Sequence, residues 1–137
     1  MREAYYLIIV NSVLFILFGL GFICFPEEAS LLVTDTLPDT PSGMIEMRAN
    51  YGGVSLGLGL LLAFCARTKK AIVWAAWAVI FVVGGMSIGR FIGIMAEQAG
   101  NTIVYFLFIV ELYLISATLL ALIRIKLDQP EGWEAFK

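Results

Sequence analysis

Four long apolar runs dominate the chain, over residues 5–25, 44–66, 71–95 and 103–123. A helix needs roughly 20 apolar residues to cross the hydrocarbon core of a bilayer, and each run meets that length. Polar residues collect between the runs, in the 26–43 segment, the Arg67–Lys70 turn, the Glu97–Thr102 turn and the tail after Asp128. The two short turns leave room only for antiparallel helical hairpins. Inside a bilayer a helix satisfies its own backbone polar groups, which an open strand cannot do. The expected fold is therefore all-α: a single transmembrane domain spanning 1–137, an integral membrane four-helix bundle in up-down-up-down order.

Local signals refine the boundaries. Pro26, with Glu27 and Glu28 beside it, suits the first turn of a short interfacial helix. Leu31, Leu32 and Val33 would dip into the headgroup boundary. Residues 36–43, with Pro38 and Pro41, read as a loop. Thr40 before Pro41 forms an N-cap and first-turn pair, so the second helix starts above the membrane. The exit of the first run, Phe25-Pro26-Glu27-Glu28, lacks a small-x-small cleavage pattern, so that run is expected to remain as a helix. In the polar tail, Trp133 is suited to return to the interface.

Composition strengthens the membrane assignment, with 61% hydrophobic residues against 15% charged. Orientation follows from the basic residues. Arg2, Arg67, Lys69, Lys70, Arg124 and Lys126 fall on one side, expected to be cytoplasmic, with both termini. Glu27, Glu28, Asp35 and Asp39 fall on the other. The net charge of −2 conceals this split. No basic patch implies nucleic acid. Cys24 lies at the outer end of the first helix and Cys65 at the inner end of the second, across most of a ~30 Å core, so they cannot form a disulfide.

Glycine is concentrated in the apolar runs. In the second, Arg48, Gly52, Ser55 and Gly59 recur at helical spacing, with Gly53 and Gly57 on an adjoining strip; in the third, Gly85, Gly89 and Gly93 recur every four residues. Lipid tails give helices no hydrophobic reason to associate, so small residues permit close backbone approach instead. The partner of such a face is another helix of the chain or a second copy of it, which makes a homo-oligomer through glycine-rich faces one expectation.

Two ionisable residues lie deep within the runs: Arg90 in the third and Glu111 in the fourth. Charges at such depth are costly and mark functional sites by default. Side chains tilt toward their helix N-terminus. Arg90 is thereby directed down and Glu111 up. At about 1.5 Å per residue, Arg90 stands about 30 Å above Lys70 and Glu111 about 20 Å above Arg124, a gap their side chains can span. An Arg90–Glu111 ion pair is expected. Arg48 lies near the outer boundary. If it turns inward with Gly52 and Ser55, two arginines share one deep carboxylate, and the surplus charge suits an anionic group. Asn50 and Tyr51 would add neutral hydrogen-bonding groups. Asn11 and Ser12 read as hydrogen-bond glue between helices.

Absences narrow the chemistry. There is no histidine, hence no bis-His haem or His-based metal site. There is no Cys-x-x-Cys pair and no phosphate-binding glycine loop. One deep carboxylate does not make a paired-acid hydrolase. Neither an enzyme nor a cofactor or metal is expected.

The segment Glu46-Met47-Arg48-Ala49-Asn50-Tyr51-Gly52-Gly53, followed by Gly57-x-Gly59, resembles the signature of a family of small bacterial four-helix membrane proteins known only as a domain of unknown function. Gly89-Arg90 and Glu111 fit the same pattern, and the resemblance covers nearly the whole chain. It implies the architecture, the bacterial inner membrane, and a shared interest in Arg48, Tyr51, Arg90 and Glu111. It implies no activity.

Three readings follow. In the first, an outward-facing pocket binds an anionic or polar small molecule or a lipid headgroup, with Arg48, Arg90, Glu111, Tyr51 and Asn50 as its ligand-binding residues. In the second, an oligomeric transporter uses Glu111 as a titrating group. In the third, a structural or accessory subunit uses Arg90–Glu111 only as a clamp.

Overall fold

A computed structural model describes residues 2–128. The chain is all-α over these residues, in the order α1 (Arg2–Cys24), α2 (Pro26–Thr34), α3 (Pro41–Glu46), a π-helical turn (Met47–Gly53), α4 (Val54–Cys65), α5 (Lys69–Glu97) and α6 (Thr102–Asp128). The tail with Trp133 lies outside the described residues. Three helices, α1, α5 and α6, are individually long and apolar enough to cross a membrane. This is the composition of a membrane protein, and its surface agrees: Phe64, Phe81 and Ile109 are each at least 66% exposed. Such apolar exposure is unfavourable in water and costs nothing in lipid.

The second apolar run differs from expectation. It is not one α-helix over 44–66. It runs as α3, the π turn and α4, joined through residues with helical backbone angles, including Met47 (φ −59°, ψ −46°) and Gly53 (φ −63°, ψ −45°). At the end of the π turn, the Val54 N–H donates to the Ala49 carbonyl five residues back. A π turn of this kind brings residues five apart onto one strip. Met47 is accordingly half-buried on the side of buried Gly52, and Arg48 is exposed.

The helices pack as two antiparallel pairs. Gly19 of α1 lies against Gly52 and Leu56, and farther along Ile16 lies against Gly59. Ser12 Oγ donates to the Gly59 carbonyl at 2.8 Å, fixing α1 against α4 at that level. In the other pair, Phe91 of α5 stacks on Phe108 of α6 with ring centroids 6.2 Å apart. Arg124 Nη1 of α6 meets Glu3 Oε2 of α1 at 2.6 Å, so the start of α1 and the end of α6 share one end of the molecule. That basic end, with Arg67, Lys69 and Lys70, caps a dry core. Ile8, Leu62, Ala76 and Val79 are fully buried there, beside Val73, Ala121 and Leu122.

At the opposite, acidic end, α2 forms as its proline and acidic first turn predict. It closes on Asp35, whose left-handed backbone (φ 55°) directs its N–H to the Leu31 carbonyl. Asn101 holds α2 over the start of α6: its Nδ2 donates to the Val33 carbonyl at 3.3 Å, and its Oδ1 accepts from Val104 N at 2.8 Å. Thr40 caps α3, accepting from Gly43 N at 3.1 Å. Thr40→Ala should cost about 1 kcal/mol through this cap. Hydrogen exchange at Gly43 should then rise well above that of Val104, whose own cap is intact; equal exchange at the two amides would show that the cap contributes nothing.

Candidate functional site

Arg90 and Glu111 meet as their helix polarities predict. Arg90 Nη2 donates to Glu111 Oε1 at 2.9 Å, and Nε donates to Oε1 and Oε2 at 3.3 and 3.2 Å. The side chains are 18% and 8% exposed. A guanidinium carries five N–H donors in a fixed fork. Glu111 occupies one edge of it. Nη1 meets no protein acceptor among the described residues.

Arg90 borders two cavities that lie between the helix pairs. The first, of about 550 Å³, has Asn50, Tyr51, Ser55 and Thr34 among its walls and lies toward α2 and the π turn. The second, of about 350 Å³, has Asn11 and Glu111 as its other polar walls and lies between α1 and α6. Phe15, Phe18 and Met86 border both cavities with Arg90. The guanidinium-bearing residue is thus the polar element common to two largely apolar spaces. Volumes of this size are typical of small-molecule sites.

Sequence expectation and structure part company at Arg48. It is exposed and lines neither cavity bordered by Arg90. Its Nε donates, at a long 3.4 Å, to the Ile23 carbonyl near the end of α1. That helix has no basic residue in its last turn, so Arg48 supplies a cation where the terminal carbonyls favour one. The π turn is the cause of the difference, because a residue four before Gly52 no longer shares its strip. Without Arg48 the buried charges balance, one arginine against one glutamate.

Asn50 and Tyr51 do border the first cavity with Arg90. Asn50 also donates through Nδ2 to Glu46 Oε2. Tyr51 stacks on buried Phe22 with centroids 5.0 Å apart. Four of the five expected residues therefore adjoin the cavities: Asn50 and Tyr51 the first, Glu111 the second, and Arg90 both.

A family model described as a domain of unknown function, DUF4345, matches residues 5–122. The chain belongs to this family. No curated protein and no solved structure matches it. Membership in DUF4345 agrees with the resemblance carried by the glycine-rich segment around Arg48 and Tyr51, and it brings no activity with it.

Asn11 also walls the second cavity, a role that its place in the sequence does not announce. Ser12 is the interhelical glue expected of both residues, through Gly59. Asn11, fully buried, spends Nδ2 on the Leu7 carbonyl of its own helix at 2.9 Å, and its Oδ1 has no partner. Successive residues differ by about 100° around a helix of 3.6 residues per turn. An Asn-Ser pair therefore divides between two neighbours, and the sequence does not say which residue takes which.

Proposed function

We propose that this chain is a four-span protein of the bacterial inner membrane, with both ends cytoplasmic, that binds the polar head of a lipid or small amphiphile between its helix pairs. The carrying observation is Arg90, held by Glu111 through Nε and Nη2 while Nη1 meets no protein acceptor among the described residues, in a residue that borders a cavity of about 550 Å³. The charge asymmetry of the two ends supports the orientation. The antiparallel pairing of α1 with α4 and of α5 with α6 supports a four-helix bundle in up-down-up-down order, the second span being built from α3, the π turn and α4.

With Arg48 outside, the buried pair is neutral, so the favoured occupant offers Nη1 an oxygen acceptor and does not need a full negative charge. Phosphate and carboxylate heads remain the strongest acceptors for a guanidinium. Tyr51 and Asn50 would flank the head, and Phe15, Phe18 and Met86 the first carbons. The apolar core at the basic end, with Ile8, Leu62, Ala76 and Val79 fully buried, favours binding over carriage. No reaction is proposed. Gly85, Gly89 and Gly93, with no neighbour within 4 Å of an added Cβ, are available to a second copy.

Thermal unfolding in detergent with added phosphatidylglycerol or fatty acid tests the site. Wild type should be stabilised. Arg90→Lys keeps a cation opposite Glu111 but loses the second edge of the guanidinium, and should weaken binding roughly tenfold, about 1.4 kcal/mol. If no phosphate- or carboxylate-headed amphiphile shifts the wild type, this site binds no such lipid.

A further inference from the structure

The second cavity carries chemistry of its own. Its polar walls are Asn11, Glu111 and Arg90, and the remaining walls are apolar, among them Leu14, Val83, Leu107 and Val110. Asn11 is fully buried, and its Oδ1 is one of two buried side-chain atoms among the described residues that lack a partner. A buried acceptor left unsatisfied is costly, and native structures leave few of them. Asn11 lies on the wall of a cavity of about 350 Å³ that Glu111 and Arg90 also line.

From this arrangement we infer a second binding site, distinct from the one beside Tyr51, that takes a neutral hydroxyl-bearing single-chain amphiphile such as a long-chain alcohol. The inference rests on the membrane-spanning reading but does not require the first cavity to be occupied. Asn11 Oδ1 needs a donor and Arg90 Nη1 needs an acceptor. A hydroxyl is the simplest head that can both donate and accept. An ammonium head would be repelled by Arg90. A carboxylate head would meet Glu111 and has no hydrogen for Asn11. Because Arg90 and Glu111 neutralise each other, an uncharged head is the electrostatic match.

Entry is lateral. Leu14 and Phe106, at the mouth between α1 and α6, are 45% and 57% exposed. The occupant therefore arrives from the bilayer, and its chain leaves along the same apolar gap.

The test measures binding of 1-tetradecanol to purified protein in detergent, by native mass spectrometry and by thermal shift. Wild type should bind one molecule and be stabilised. Asn11→Leu removes the orphaned acceptor, and Val110→Trp fills the cavity without touching Asn11. Each should weaken binding by on the order of tenfold or more. Val82→Trp, which fills only the cavity beside Tyr51, should leave tetradecanol binding intact while blocking phosphatidylglycerol. Failure of the phosphatidylglycerol arm alone removes the first site and leaves the second standing. The inference is overturned if wild type binds no alcohol, the cavity then holding only water, or if both Asn11→Leu and Val110→Trp bind it as well as wild type does.

Discussion

Arg90→Ala should destabilise the fold by about 3 kcal/mol, because it strands Glu111 in an apolar surrounding. Glu111→Ala should cost a similar amount by stranding Arg90. The cost of each single change is mostly the desolvated charge left behind, not the net worth of the pair. Arg90→Met combined with Glu111→Met should therefore recover much of the loss, since two apolar side chains of similar length replace two balanced charges. A double-mutant cycle, read by denaturation in mixed micelles with Trp74 and Trp77 as reporters, gives the coupling. Strictly additive losses would show that the 2.9 Å contact contributes nothing to the fold. Recovered stability without recovered lipid binding would separate the clamp from the site, because the Met/Met protein keeps its packing and has no guanidinium to offer.

The elements that follow from one-dimensional rules were legible in the sequence. Apolar run length marks α1, α5 and α6 as helices long enough to cross a membrane, and Thr40 with Pro41 marks the start of α3. Helix polarity directs Arg90 and Glu111 at each other across a tight turn. What was not legible depends on rotation about a helix axis. The π turn alters the register by one residue, which exchanges Met47 for Arg48 on the packed strip. Nothing in Met47-Arg48-Ala49-Asn50 announces that change. Asn11 and Ser12 likewise divide between a cavity wall and the Gly59 carbonyl according to about 100° of rotation. The cationic surplus expected from Arg48 disappears for the first reason, and the proposed hydroxyl site rests on the second.

Glycine spacing presents the same limit from another side: the second and third apolar runs have similar stripes, and only one is filled. Gly59→Val should be severely destabilising. An added Cβ there would stand 2.8 Å from Ile16 N and 2.9 Å from Ser12 O, both backbone atoms that cannot swing aside. Gly19 is as tight, with the Leu56 N at 2.5 Å. To admit the valine, α1 and α4 must separate, which also lengthens the Ser12–Gly59 hydrogen bond. Overpacking costs about 1–3 kcal/mol, and a lost interhelical hydrogen bond adds roughly 0.6 kcal/mol. Gly89→Val in α5 meets nothing within 4 Å and should leave the monomer's unfolding curve unchanged. If Gly89→Val nonetheless lowers the apparent mass in detergent, as measured by sedimentation, the empty stripe is the face on which a second copy packs. If mass and stability are both unaffected, that face meets only lipid. Should Gly59→Val unfold no more easily than Gly89→Val, the close approach of α1 to α4 is not what holds the first helix pair together, and the cleft that positions Arg90 must be maintained by α5 and α6 alone.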